Sequence, residues 1–202
     1  MVYVSILLIS YLVGSINFAI YLAKIRNVDL FTSGSGNPGA TNVKRTMGPF
    51  WGNTVFLLDF IKGYVAIFLA LKLSNMYESD LDWLCVIALI GVILGHSFSL
   101  FLKFRGGKGV ATTMGGMAGF MFPVLVIGLI IWLITFLMTR VVALASIFFA
   151  LSLPLSAYFF YNEGSWSLRV TVSMIIAILI TLRHISNIKR LLKGKEYCFN
   201  KK

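Results

Sequence analysis

A series of apolar runs, each about as long as a bilayer crossing and separated by short basic loops, restricts this chain most. A transmembrane helix needs roughly 20 apolar residues, because hydrocarbon offers no water to satisfy a bare backbone. Residues 2–23, 51–73, 83–102, 141–161 and 167–182 meet or approach that length. With 58% hydrophobic and 12% charged residues and a mean hydropathy of +0.89, a soluble globular domain is excluded. Residues 1–22 lack a basic leader and a small-residue cleavage site, so they read as the first span rather than a signal.

Residues 110–138 are too long for one straight span, at about 1.5 Å per residue, and short for two. Splitting them at Pro123 into 111–122 and 123–138 returns Arg140 and the basic C-terminus to the cytoplasmic side, where basic loops belong. The expectation is an all-α integral membrane protein of seven transmembrane helices, some short or broken. Its N-terminus lies outside and its C-terminus in the cytoplasm, with residues 1–202 forming one domain. Residues 162–165 would be an outer turn, and Arg190, Lys193, Lys195, Lys201 and Lys202 belong to the basic tail. The net charge of +11 then sits in loops, fitting topology and anionic ligands alike; no basic face suits nucleic acid. Cys85 and Cys198 offer neither a disulfide framework nor metal-ligand spacing, and no cofactor motif survives.

Residues 34–48, Gly-Ser-Gly-Asn-Pro-Gly-Ala-Thr-Asn-Val-Lys-Arg-Thr-Met-Gly, form a polar island. Glycines permit tight turns whose N–H groups face anions, and residues 40–47 suit a short helix whose first turn adds donors. Gly34, Gly36 and Gly39 fit G-x-G-x-x-G formally, but no strand precedes them and Pro38 interrupts, so a dinucleotide fold is rejected. Arg105-Gly106-Gly107-Lys108-Gly109 is no Walker loop either, yet shares the physics of lysine and backbone N–H groups around phosphate. Asp59 and Lys62, three apart inside a span, are expected to pair. His96 lies near a cytoplasmic end, and His184 and Asn187 share a helix face. No His-x4-Asp pattern and no order suggesting a covalent nucleophile is present.

In this arrangement the chain resembles the PlsY family, bacterial membrane enzymes that acylate glycerol 3-phosphate from acyl phosphate. Four features carry the resemblance in order: the run from Gly34, Asp-Phe-Ile-Lys-Gly from Asp59, Gly-His…Phe-Arg-Gly-Gly-Lys-Gly-Val-Ala-Thr from Gly95, and Arg-His-Ile-Ser-Asn-Ile-Lys-Arg-Leu from Arg183. The resemblance implies a multi-pass protein of the bacterial inner membrane with a cytoplasmic active site. It also implies membrane lipid as surroundings and a functional link to a soluble acyl-phosphate synthase. Two phosphate-bearing substrates need two cationic pockets: one on Ser35, Gly36, Asn37, Gly39, Thr41, Asn42 and Arg45, the other on Lys108 with the Gly106 and Gly107 backbone and Arg105. Arg140 and Ser146 are further candidate contacts, and His96, His184, Asn187 and Lys108 the candidate catalytic residues. The family's Thr-Arg-Tyr-Val-Ser-Leu-x-Ser is here Thr-Arg-Val-Val-Ala-Leu-Ala-Ser from Thr139, so Ala143 removes one hydroxyl.

Acyl phosphate is a mixed anhydride, so no covalent acyl-enzyme is required, and holding two anions together is the main burden. The proton of the attacking hydroxyl would go to His96, to His184 or to a substrate phosphate oxygen, whose second pKa is about 6. The other class of reading is a transporter or flippase for an anionic metabolite, which Asn17, Asp59, Lys62 and the broken segment also fit. A purely structural subunit leaves the two glycine-rich basic loops without a purpose.

Overall fold

The computed structural model describes residues 1–161 and 167–199, and all regular structure there is helical. The expected turn at 162–165 and the cations Lys201 and Lys202 lie outside the described residues. The chain divides into two compact units, Met1–Phe120 and the described part of Met121–Lys202.

The first unit holds α1 (Val2–Ser15), α2 (Phe18–Ile25), α3 (Ala40–Met47), α4 (Pro49–Tyr77), α5 (Leu81–Ser97) and α6 (Val110–Phe120), with a 3-10 turn at Leu100–Leu102. Together α1 and α2 make one apolar stretch, Val2–Ile25, broken at Ile16 and Asn17, just after the small residues Gly14 and Ser15. Ile16 turns extended, and the Asn17 side chain caps α2 by accepting from the Ile20 N–H at 2.9 Å. α3 spans the residues expected from the sequence. α4 outruns its expected range at both ends: Pro49 opens it in the first turn, and it runs on until Glu78 adopts a left-handed cap at φ 47°. Its 29 residues rise about 43 Å, more than a hydrocarbon core of roughly 30 Å. α5 is capped by Asp80, whose side chain accepts from the Trp83 N–H at 3.1 Å.

Small residues set the helix crossings. A Cβ on Gly63 of α4 would run into the Thr112 and Gly116 backbone of α6, and one on Gly115 of α6 would strike Phe60 of α4. Gly14 and Gly95 bring α1 and α5 together in the same way. In lipid, where burying apolar side chains gives no net drive, such close backbone contact supplies the attraction.

The second unit holds α7 (Phe122–Thr139), α8 (Val142–Tyr161), α9 (Leu168–Arg183) and α10 (Ile185–Leu192). The break expected at Pro123 is present: α6 ends at Phe120, and Pro123 sits in the first turn of α7, where its missing N–H has no intrahelical partner to lose. Ser167 caps α9 through the Val170 N–H, and α10 follows after a bend of 57°. Little of α7 is buried, and Val126, Leu129, Ile130, Leu133, Ile134 and Leu137 are exposed on it, as a lipid-facing helix requires.

Among the described residues five helices or helix pairs are long and apolar enough to cross a membrane, or six if α9 and α10 form one bent span. This is a multi-span integral membrane protein. The seven expected crossings include α6 as a short one: its 11 residues rise only about 16 Å, so it falls below the length of a full span. Gly63→Val, which forces a branched side chain into the α4–α6 contact, is expected to destabilise by about 1–3 kcal/mol. Thermal unfolding in detergent checks this; Ile130→Val on the exposed side of α7 should change stability by less than about 0.5 kcal/mol.

Candidate active site

The loop entering α3 is built around Asn42. Its side chain is 1% exposed, accepts from the Ser35 N–H at 2.8 Å, and donates to the Ser33 and Leu30 carbonyls at 3.0 and 3.3 Å. Gly34 and Gly36 hold φ of +59° and +70°, which lets the chain wrap that amide. Asn42, expected on the substrate, therefore lies beneath the loop and shapes it. The glycine N–H groups also differ from expectation. Gly36 N–H donates to Ser33 O at 3.1 Å and Gly39 N–H to Asn37 O at 3.0 Å, so the loop satisfies them internally. Ser35, Asn37, Thr41 and Arg45 are among the polar side chains half-buried along it. They stand with the first turn of α3, where helix geometry leaves N–H groups of Ala40 and Thr41 without intrahelical acceptors.

The second loop leaves α5 just after His96, which is buried at 5% exposure. Lys103 and Phe104 are left-handed at φ 52° and 61°, a conformation that costs non-glycine residues about 1–3 kcal/mol each. The Phe104 N–H to Ser99 O bond at 2.8 Å and the Arg105 N–H to Leu102 O bond at 3.0 Å hold that reversal. The chain then folds back on His96: the Gly107 N–H donates to His96 O at 3.0 Å. A Cβ on Gly106 would strike the His96 carbonyl, and one on Gly107 the His96 ring at Nε2. Gly106 and Gly107, expected as ligand cradle, are thus required by close approach to His96. Lys108, half-buried, follows them at the entrance to α6.

The fold brings the two loops together. The Arg105 guanidinium lies over the Phe31 ring of the first loop, 5.1 Å from its centroid. Asp59 and Lys62 pair as expected, at 2.7 Å, with His96 Nδ1 3.5 Å from the same Asp59 oxygen.

In the second unit His184 joins α9 to α10, and its Nδ1 lies 2.8 Å from Ile180 O. That contact favours the proton on Nδ1 in neutral imidazole, leaving Nε2 as the acceptor nitrogen. The Asn187 amide nitrogen donates to Glu196 Oε1 at 2.9 Å, and Arg190 Nε to Oε2 at 2.8 Å. Asn187 therefore fastens the tail, a role the sequence reading did not give it. Ser146, expected on the substrate, is 4% exposed, and its hydroxyl accepts from Trp132 Nε1 at 3.4 Å between α8 and α7. Arg140 is left-handed at φ 58° after α7, and its carbonyl accepts the Phe199 N–H at 2.9 Å.

The profile of the family described as Glycerol-3-phosphate acyltransferase matches residues 4–194. A glycerol-3-phosphate acyltransferase of Wolbachia pipientis wMel is 39% identical over 194 residues, covering 96% of both chains. One from Aquifex aeolicus is 38% identical over 195 residues, covering 96% of this chain and 97% of that one. The chain belongs to the glycerol-3-phosphate acyltransferase family. Its structure is similar to the crystal structure of PlsY (YgiH), an integral membrane glycerol 3-phosphate acyltransferase, in the glycerol 3-phosphate form. The TM-score is 0.88 at 36% identity, over 98% of this chain and 96% of that one. For the lysophosphatidic acid form of PlsY the TM-score is 0.85, over 98% and 95%.

In this acyltransferase family member the sequence reading left four site-shaping residues out of the candidate set. Asp59 was visible as the partner of Lys62, but its approach to His96 depends on the α4–α5 packing. Phe31 and Asn17 gave no signal of their own; Asn17 donates to Pro38 O at 3.2 Å. Glu196 was findable, as the one acid in the tail from Arg183 onward. Asn42→Ala, which removes three hydrogen bonds at a buried position, is expected to cost about 2–3 kcal/mol. Asn42→Asp should fail similarly, since a carboxylate cannot donate to Ser33 and Leu30, whereas Ser35→Ala should stay within about 0.5 kcal/mol. Equilibrium unfolding in detergent distinguishes them.

Proposed function

We propose that this chain transfers an acyl group from acyl phosphate to the 1-hydroxyl of glycerol 3-phosphate, giving lysophosphatidic acid and phosphate, the first acylation of phospholipid synthesis. The observation that carries the reading is the pairing of two basic loops in one unit: Arg105 stands over Phe31, with Lys108 on one loop and Arg45 beside the other. The similarity to PlsY in its glycerol 3-phosphate form and its lysophosphatidic acid form supports the acceptor and product. The charges inside the spans, which also suited a transporter, pair with one another and with a helix break.

The C1 hydroxyl oxygen attacks the acyl carbon, the bond from that carbon to the bridging phosphate oxygen breaks, and phosphate leaves as the hydroxyl proton passes to an acceptor. No bond to the protein forms. Arg45, Ser35, Asn37, Thr41 and the first turn of α3 would hold one phosphate, and Lys108 with Arg105 the other. Held side by side, the two anions react as one bound pair, and cations near the carbonyl and phosphate oxygens stabilise the developing charge. The proton acceptor is a phosphate oxygen, His96 or His184. The loops lie on the cytoplasmic side of a bacterial inner membrane, since Lys24, Arg26, Lys44, Arg45, Lys103, Arg105 and Lys108 all flank them. Seven crossings with an outside N-terminus, one catalytic domain over 1–202, and donor supply by a soluble acyl-phosphate synthase complete the reading.

Purified protein in detergent should release phosphate only when acyl phosphate and glycerol 3-phosphate are both present; no release sinks the proposal. Lys108→Ala and Arg45→Ala are each expected to lower kcat/KM by about 10²–10³-fold. If His96→Gln and His184→Gln each abolish the chemical step with substrate binding intact, proton transfer to the substrate phosphate is ruled out.

A further inference from the structure

The buried charges of the first unit sit at the junction of both loops. Asp59 and Lys62 are 3% and 4% exposed, inside the long apolar helix α4. Such a pair is expensive to desolvate, and apolar residues of similar volume often replace buried pairs without loss of stability. Stability alone is therefore a weak reason for it. Its contacts run in two directions. Lys62 Nζ donates to the Ile16 carbonyl at 2.9 Å, in the break between α1 and α2, and lies 5.7 Å from the Phe18 ring centroid. The next residue, Asn17, caps α2 with its Oδ1 and donates from Nδ2 to Pro38 O of the first loop at 3.2 Å. On the other side Asp59 Oδ1 faces His96 Nδ1 at 3.5 Å, while His96 O accepts the Gly107 N–H of the second loop at 3.0 Å.

The chain of contacts from Pro38 to Gly107 is thus continuous, through Asn17, Ile16, Lys62, Asp59 and His96. We propose that Asp59 and Lys62 are positioning residues for the acyl transfer, holding the two phosphate loops in register through the break in the first helix. The proposal rests on the function given above. Neither residue touches substrate: each acts through what it holds. A pair that served only stability would lower the unfolding midpoint and leave the loops of the folded protein unchanged. A pair that tuned His96 as a proton acceptor would lower kcat and leave both KM values alone. A positioning pair moves both loops, and hence the KM of both phosphate substrates.

The test compares full-length wild type in detergent with Asp59→Asn/Lys62→Met, which removes both charges at similar volume, and with Asn17→Ala, which cuts the first arm alone. Hydrogen–deuterium exchange is followed at residues 33–39 and 105–109, with residues 142–161 as reference, alongside steady-state kinetics. In the double variant exchange should quicken about tenfold or more at both loops and not at the reference. KM should rise about tenfold for acyl phosphate and for glycerol 3-phosphate, a factor equivalent to about 1.4 kcal/mol, with kcat within about threefold. In Asn17→Ala only residues 33–39 should quicken. The proposal is overturned if loop exchange in the double variant matches wild type, if one KM moves without the other, or if kcat falls with both KM values unchanged. Should the double variant not fold, unchanged exchange at 33–39 in Asn17→Ala overturns it. Absence of acyl transfer by wild type would instead overturn the proposed function, and the exchange comparison would still decide the coupling.

Discussion

A helix broken inside a membrane exposes carbonyl groups that hydrocarbon cannot solvate, and the first span of this protein breaks at residues 16 and 17. Two of these carbonyls find side-chain donors on neighbouring elements. The Ser99 hydroxyl bonds Ser15 O at 2.6 Å, and Lys62 bonds Ile16 O at 2.9 Å. A lysine used in this way must itself be neutralised, and Asp59 does so one helical turn away. His96 then packs against the same carboxylate. One local defect in a helix thus accounts for a cation, an anion and an imidazole in an apolar setting.

Glycine does two kinds of work here, and sequence motifs do not separate them. Gly34 and Gly36 take left-handed backbone to enclose Asn42, while Gly106 and Gly107 make room for the main chain and ring of His96. Gly63 and Gly115 let helices cross at backbone distance. Several loop N–H groups that a phosphate-cradle reading assigns to ligand are already bonded within the loops. Under the proposed function, contact with anions falls accordingly to side chains, Arg45 and Lys108 foremost, and to the first turn of α3.

Much was legible because the signals were local. Apolar runs marked the helices, Pro123 marked the break between α6 and α7, and the short helix α3 followed from the residues after Gly39. The Asp59/Lys62 pair followed from spacing on one helix. The less legible features pair residues far apart in sequence: Arg105 with Phe31, His96 with Asp59, Trp132 with Ser146. The shortness of α6 was legible but not whether it reaches across a bilayer, because an apolar glycine-rich run reads alike either way.

By itself the sequence determined that this chain lives in a membrane as helices and carries two basic, glycine-rich loops suited to phosphate. Those properties depend on hydropathy, charge and backbone freedom, which each residue carries with it. Tertiary structure alone decided which polar groups hold the protein together. Asn42, Ser146 and Asn187 each gained an internal partner that the sequence could not supply, because a hydrogen bond depends on where its partner lies.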